Sequence, residues 1–81
     1  MRRFRVYRLE VPDEHLKAGR AVERGEVQLE GVEFTDGTVV VLWATPGSLP
    51  AGWANFDAFY KIHGHPEYGT VIEWLDVLTS A

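Results

Sequence analysis

Two histidines separated by one residue, His63 and His65, are the feature of this sequence whose residue types and spacing most directly suggest chemistry. Two imidazoles at this spacing can reach one metal ion such as zinc. Further ligands could come from three residues elsewhere in the chain, His15, Glu67 and Asp76. An H-x-H pair alone is a weak motif, and Gly64 explains the segment structurally if it ends a helix in the left-handed conformation. We therefore assign neither a metal nor a cofactor to these histidines.

Several aromatic residues near the histidines could form a binding surface. Trp53 lies in a loop rich in glycine and proline, Tyr60 at the edge of a helical stripe, and Tyr68 in a turn. Exposed Trp and Tyr side chains are typical anchors of binding surfaces. The alternative is that Trp53 folds back as a lid over the open end of a sheet. The candidate ligand- or partner-binding residues are Trp53, Tyr60, His63, His65 and Tyr68.

The basic residues are unevenly distributed along the chain. Four arginines lie within the first eight residues, whereas from Leu9 onward four basic residues face twelve acidic ones. An arginine cluster could neutralise the phosphates of a nucleic acid. The net charge of −4 and the pI near 5.2 argue against a nucleic-acid partner, and Arg3 and Arg5 could pair with Glu30 or Glu33 across a sheet.

The sequence carries no motif of a known catalytic class. It has no P-loop, no dinucleotide-binding glycine fingerprint, no G-x-S-x-G elbow and no H-E-x-x-H. Cysteine is absent, and serine occurs only at Ser48 and Ser80, outside any motif that would activate a nucleophile. We therefore expect a protein that is not an enzyme.

Length and composition predict one globular domain, residues 1–81. Eighty-one residues are too few for two cores, and 46% hydrophobic residues argue against disorder. The N-terminal segment MRRFRVYRLE lacks the apolar run of a signal peptide, and no apolar segment approaches the ~18 residues of a membrane span. We expect a cytoplasmic protein that makes no membrane contact.

The segment EGVEFTDGTVVVLWA, residues 30–44, is the strongest structural signal and predicts a β-hairpin. Asp36-Gly37 suits a two-residue turn, which would place Val32 opposite Val41. Side chains alternate across a strand, so this register predicts two faces. The predicted core face carries Val32, Phe34, Val39, Val41 and Trp43, and the other face carries Glu33, Val40 and Leu42.

The remaining elements are predicted from local patterns. Asn55 is a candidate N-cap for a helix over 56–63, with an apolar stripe at helical spacing. The other predictions are a strand over 3–11 with a slip near Val6–Tyr7, a loop over 12–25 with one helical turn from Asp13 to Gly19, a bulge or bend at Gly31, an irregular segment over 45–52 and a last strand over 70–78. The fold class is α+β and β-rich. We expect a small, strongly twisted antiparallel sheet, or a partly open SH3-like barrel, of about four strands with one short helix before the last strand.

Three segments carry a family resemblance, namely EGVEFTDGTVVVLW, IHGH and VIEWLD. In these the chain resembles a set of short proteins of actinobacteria and their bacteriophages. Those proteins carry an E-G-V-x-F-x-D-G-T hairpin, an I-H-G-H segment and a terminal W-x-D strand. The resemblance covers residues 30–76. It implies a shared fold unit and a phage or actinobacterial origin, and it carries over no catalytic residues.

The predicted fold leads to two functional hypotheses. One helix cannot cover both apolar faces of a sheet, and Val40, Leu42, Val71, Leu75 and Val77 need a second cover. The first hypothesis is a non-enzymatic module that self-associates, with Val40 and Leu42 in the interface, and binds a protein partner through strand edges or the aromatic surface. The alternative is a pocket of Trp53, Tyr60, His63 and His65 that captures a small anionic or nucleotide-like molecule.

Overall fold

A computed structural model describes residues 1–19 and 21–76, which form five antiparallel strands in one open sheet and two short α-helices. The strands are β1 (Arg2–Arg8), β2 (Val27–Glu33), β3 (Val39–Trp43), β4 (Ala51–Trp53) and β5 (Thr70–Trp74), and their order in the sheet is β4-β3-β2-β1-β5. The helices are α1 (Asp13–Lys17) and α2 (Phe56–His63), and a 3-10 turn spans Pro66–Tyr68. The predicted β-rich α+β fold is confirmed, as an open sheet of five strands.

The fifth strand is β4, in a region predicted to be irregular. That prediction is wrong at its C-terminal end, where Val39 of β3 pairs with Trp53 and Val41 pairs with Ala51. Prolines and glycines are tolerated in a strand at the edge of a sheet, and β4 is an edge strand of three residues. Strand β5 ends at Trp74, so the prediction of a strand is wrong for residues 75–76, and its last part, 77–78, lies outside the described residues.

The β2–β3 hairpin forms where it was predicted, but its register differs by one residue. Glu33 pairs with Val39 and Val32 with Val40, because Thr35, Asp36 and Gly37 form a three-residue loop closed by the bond from Phe34 N to Thr38 O (2.8 Å). A slip of one residue moves a strand's side chains to the opposite face. Val32 therefore lies on the face of Val40 and Leu42, and Phe34 is 41% exposed. The predicted inward orientation of Val32 and Phe34 is wrong.

Strand β1 has β2 and β5 as its neighbours and contains the predicted slip. Val6 pairs with Leu29 and Tyr7 with Val27, so Gln28 is the extra residue of a β-bulge. The bulge predicted at Gly31 is instead at Gln28. Gly31 lies opposite Phe4, whose ring occupies the space that a Cβ would need.

Helix α2 has the predicted bounds and the predicted N-cap. The side chain of Asn55 accepts a hydrogen bond from Ala58 N (2.8 Å). The left-handed conformation predicted for Gly64 is wrong, since Gly64 has φ −65° and His65 takes the left-handed conformation at φ 41°. Gly64 N still bonds Tyr60 O (2.7 Å), so the helical hydrogen bonds continue one residue past His63.

The core lies between α2 and one face of the sheet, which we call the covered face. Its fully buried side chains are Phe4, Val6, Leu29, Val39, Val41 and Phe59, and around them pack Trp43, Trp53, Phe56, Ile72 and Trp74. The predicted inward positions of Val39, Val41 and Trp43 are confirmed. This layer and α2 cover one face only, and on the opposite face Leu42 and Val71 are exposed.

Candidate functional site

The face of the sheet opposite α2, which we call the open face, is divided into a polar and an apolar half. On β1 and β5, Arg5 lies in register beside Glu73, and Glu30 of β2 lies on its other side. Tyr7 Oη donates a hydrogen bond to Glu73 Oε1 (3.2 Å). This row of alternating charges faces water, but Val71 of β5, the register partner of Tyr7, adds an apolar side chain that is 45% exposed.

The apolar half of the open face is centred on β2 and β3. Val32 and Val40 are half-buried cross-strand partners, and Leu42 beside them is 47% exposed. Together with Pro50 and Glu30 they line a shallow concavity of about 210 Å³. The two interface residues predicted from the sequence, Val40 and Leu42, therefore lie in one exposed apolar surface, to which the register correction adds Val32.

His63, at the end of α2, is packed among aromatic rings of the covered face. Its ring centroid lies 5.0 Å from that of Trp43 and 5.2 Å from that of Trp53, both edge-on. Burial in this apolar setting, and then the charges of His65 and Arg8, lower the pKa of His63. The imidazole is therefore held in its neutral form more strongly than a histidine in water.

His65 and Tyr68 form a second group in the turn after α2. Their rings stack at 4.9 Å, and Nδ1 of His65 lies 2.9 Å from Oε1 of Glu67, a contact that lowers the pKa of Glu67. Thr70 Oγ1 donates to the backbone O of His65 (2.7 Å), which helps to fix the left-handed residue. With Nδ1 facing a carboxylate, the other ring nitrogen of His65 is the one available to a ligand.

The predicted aromatic surface is only partly assembled. Trp53 contacts His63, and His65 contacts Tyr68, whereas Tyr60 is exposed and stacks on Phe56 at 6.1 Å. Trp53 belongs to β4 rather than to the predicted loop, and its ring packs edge-on against the buried Phe59 ring (5.1 Å) as part of the layer around the core. None of these five residues lines the concavity of the open face, and we call their positions, in β4, α2 and the turn that follows α2, the ridge.

Arg8 connects the two groups, although no sequence motif singles it out. It is a charged residue with only 9% of its surface exposed, and its Nη2 donates to His63 O (2.6 Å). Its guanidinium carbon lies 5.9 Å from the centre of the Tyr68 ring. The alternation Phe4, Val6, Arg8 already placed this side chain on the inward face, and this was the signal that could have found it.

Two of the other N-terminal arginines are committed to carboxylates. Arg2 Nε pairs with Glu33 (2.8 Å), and Arg3 makes two side-chain hydrogen bonds to Asp76, each 3.0 Å long. The predicted pairing of Arg3 with Glu30 or Glu33 is therefore wrong. The bonds from Arg3 lower the pKa of Asp76 to about 2. These pairings leave a weaker basic patch than the sequence suggests.

Within residues 1–19 and 21–76, no group of three or more histidine, aspartate or glutamate side chains is arranged to hold a metal ion. Asp76, one of the possible ligands suggested by the sequence, pairs with Arg3 instead. Among the same residues no helix is both long and apolar enough to cross a membrane.

Comparison with known proteins gives one result that bears on identity. No curated protein and no solved structure matches the chain. The model of the family described as Acb5 phage protein matches residues 1–76, which include all five strands and both helices of the described structure. The match covers far more than half of the chain, and the chain belongs to the Acb5 phage protein family.

Proposed function

We propose that this phage protein is a non-enzymatic interaction module that acts in the cytoplasm of an actinobacterial host and self-associates through its open face. The observation that supports the proposal is the exposed apolar half of that face, with Leu42 47% exposed between Val32, Val40 and Pro50. Sheets with one apolar face exposed are stabilised by packing face to face, about 10 Å apart, against a second sheet. A second copy of the chain offers such a sheet.

The energetics favour a dimer that dissociates readily. Complete burial of a leucine side chain contributes about 1.5–3 kcal/mol, and Leu42 is about half exposed, so its burial would contribute about 1 kcal/mol in each copy. Val32 and Val40 are half-buried and contribute less. In a two-fold interface each term counts twice. These contributions sum to less than about 6 kcal/mol, whereas a micromolar dimer requires about 8 kcal/mol. We therefore expect weak self-association, in the millimolar range, through a surface that a protein partner of the host or phage could also occupy.

Light scattering after size-exclusion chromatography tests the proposal. The wild-type chain should elute with a mass between one and two copies that rises with concentration, and Leu42→Glu should be monomeric at every concentration. Ile62→Glu is the matched control, because Ile62 is 59% exposed on α2 and lies away from the open face. A wild-type mass of one copy at all concentrations would remove the self-association part of the proposal.

A second candidate function is the capture of a small anionic or nucleotide-like molecule at the ridge formed by Trp53, Tyr60, His63, His65 and Tyr68. The observation that favours it is the backbone of His65, which has φ 41°, a conformation that is costly for a non-glycine residue and is concentrated at functional sites. Native mass spectrometry of protein purified from phage-infected cells tests this candidate. A bound molecule should be released on denaturation, and His65→Ala should reduce its occupancy.

A further inference from the structure

Arg8 is a buried charge without an acidic partner. It ends β1 on the covered face, opposite Thr70 of β5, and only 9% of its surface is exposed. Among the described residues the ion pairs are formed by Arg2, Arg3, Arg24 and His65, and none involves Arg8. Charged side chains at this depth are normally paired, because an uncompensated charge in the protein interior is costly.

The hydrogen bonds of the guanidinium are also incomplete. Of its five N–H donors, one bonds His63 O at 2.6 Å, and Nε is buried without any partner. The bond to His63 O is a favourable contact with the C-terminus of α2 and gives Arg8 a structural role. The bond to His63 O uses only one of the N–H donors of Arg8, and it leaves the positive charge of the guanidinium uncompensated. Desolvation accordingly lowers the pKa of Arg8.

The groups around Arg8 do not supply the missing anion. Tyr68 presents its ring, at 5.9 Å, and the carboxylate of Glu67 contacts Nδ1 of His65 rather than Arg8. The carboxylate of Glu67, 59% exposed, acts on Arg8 only through space: it raises the pKa of Arg8, but burial lowers that pKa by more. The remaining neighbours, His63 and His65, are neutral or cationic. Among the described residues, therefore, no carboxylate pairs directly with the guanidinium.

We propose that Arg8 is the anchor of a binding site for an oxyanion, the phosphate or carboxylate group of a small molecule. The planar guanidinium fork matches both groups and binds them through two parallel hydrogen bonds. The ring nitrogen of His65 that does not face Glu67 provides a second donor on the same ridge. This inference rests on the second candidate function, capture of a small anionic molecule, and is independent of self-association through the open face.

Nuclear magnetic resonance of the wild-type chain tests the proposal without any substitution. Inorganic phosphate is titrated at constant ionic strength against sodium chloride, and the Nε–H signal of Arg8 is followed. We expect a saturable shift of this signal, accompanied by a rise in Tm, while the Nε–H signal of Arg3, already bonded to Asp76, stays in place. A parallel titration with acetate shows whether the site accepts carboxylates as well as phosphate.

Two variants make the test specific. Arg8→Lys keeps the positive charge and a donor for His63 O, but it lacks the planar guanidinium with its two parallel N–H donors. Its affinity for phosphate should therefore fall at least tenfold. Arg3→Gln removes an exposed arginine of the same strand and should bind phosphate as the wild type does. The proposal is wrong if the shift of the Arg8 Nε–H signal does not saturate with phosphate. It is also wrong if Arg3→Gln abolishes that shift. Light scattering on the same samples reports self-association separately.

Discussion

Replacing Gly31 by alanine should destabilise the protein, because Gly31 lies against the ring of Phe4 in the middle of the sheet. An added Cβ would lie 2.7 Å from Cε1 and 2.8 Å from Cε2 of Phe4, and closer still to Cζ. Carbon atoms in contact normally lie about 3.5–4.0 Å apart. The Phe4 ring would therefore have to move by about 1 Å.

The surroundings of Phe4 leave no room for that movement. Phe4 is fully buried, and its ring centroid lies 5.4 Å from that of Phe56 and 5.0 Å from that of Trp74. Overpacking of this kind costs about 1–3 kcal/mol, whereas replacing a strand glycine by alanine is otherwise favourable by about 0.5–1 kcal/mol. The expected net loss is about 1–2 kcal/mol, or about 4–16 °C in Tm for a domain of this size.

Urea denaturation followed by tryptophan fluorescence measures the difference, with Gly52→Ala as the matched control. Gly52 is also a strand glycine, but a Cβ there would lie 3.5 Å from Val39 O and 3.8 Å from Val40 Cγ2, which are ordinary contacts. We expect Gly52→Ala to be neutral or slightly stabilising. Adding Phe4→Leu to Gly31→Ala should recover part of the loss. Equal stability of the two alanine variants would refute the reasoning.

Three further perturbations test other parts of the structure. Asn55→Ala removes the hydrogen bond that caps Ala58 N and should lower the free energy of unfolding, measured by urea denaturation, by about 1 kcal/mol. Asn55→Asp keeps a side-chain acceptor and should retain most of that stability. The pKa of Asp76 is lowered from 3.8 to about 2, so its contribution to stability should be present above pH 3.8 and be lost as the pH falls through 2; Asp76→Asn should show no such loss. The pKa of His63 is lowered from 6.5, so the folded state resists protonation, and the Tm should fall as the pH drops below 6.5. His63→Phe should remove that slope, and an unchanged slope would show that the half-buried His63 imidazole is not its cause.

Where a structural element depends on local chemistry, its position could be predicted from the sequence with single-residue accuracy. Helix α2 depends on Asn55 as its cap and on an apolar stripe of period 3.6, and both are visible within ten residues of sequence. The slip at Val6–Tyr7 was likewise visible, because a change of apolar phase within one strand requires an extra residue on one side of the pairing. In both cases the signal lies in the segment itself.

Features that depend on pairing could not be predicted in this way. Asp36-Gly37 allows a loop of two or three residues, and the bonds from Thr38 N (3.0 Å) and Oγ1 (2.6 Å) to Asp36 Oδ1 favour the longer loop. Strand β4 exists because β3 offers an edge, which no pattern over 45–52 reveals. Arg8 was overlooked because its burial depends on the distant α2.

The position of β1 between β2 and β5 has a consequence for how the chain folds. Phe4 pairs with Gly31 on one side and with Trp74 on the other, so the middle of the sheet joins the beginning of the described chain to its end. Contacts between residues so far apart in sequence slow folding. Early in synthesis β1 has only β2 available, and its other edge stays unpaired until β5 has been made. The sheet is therefore completed only when β5 joins the free edge of β1.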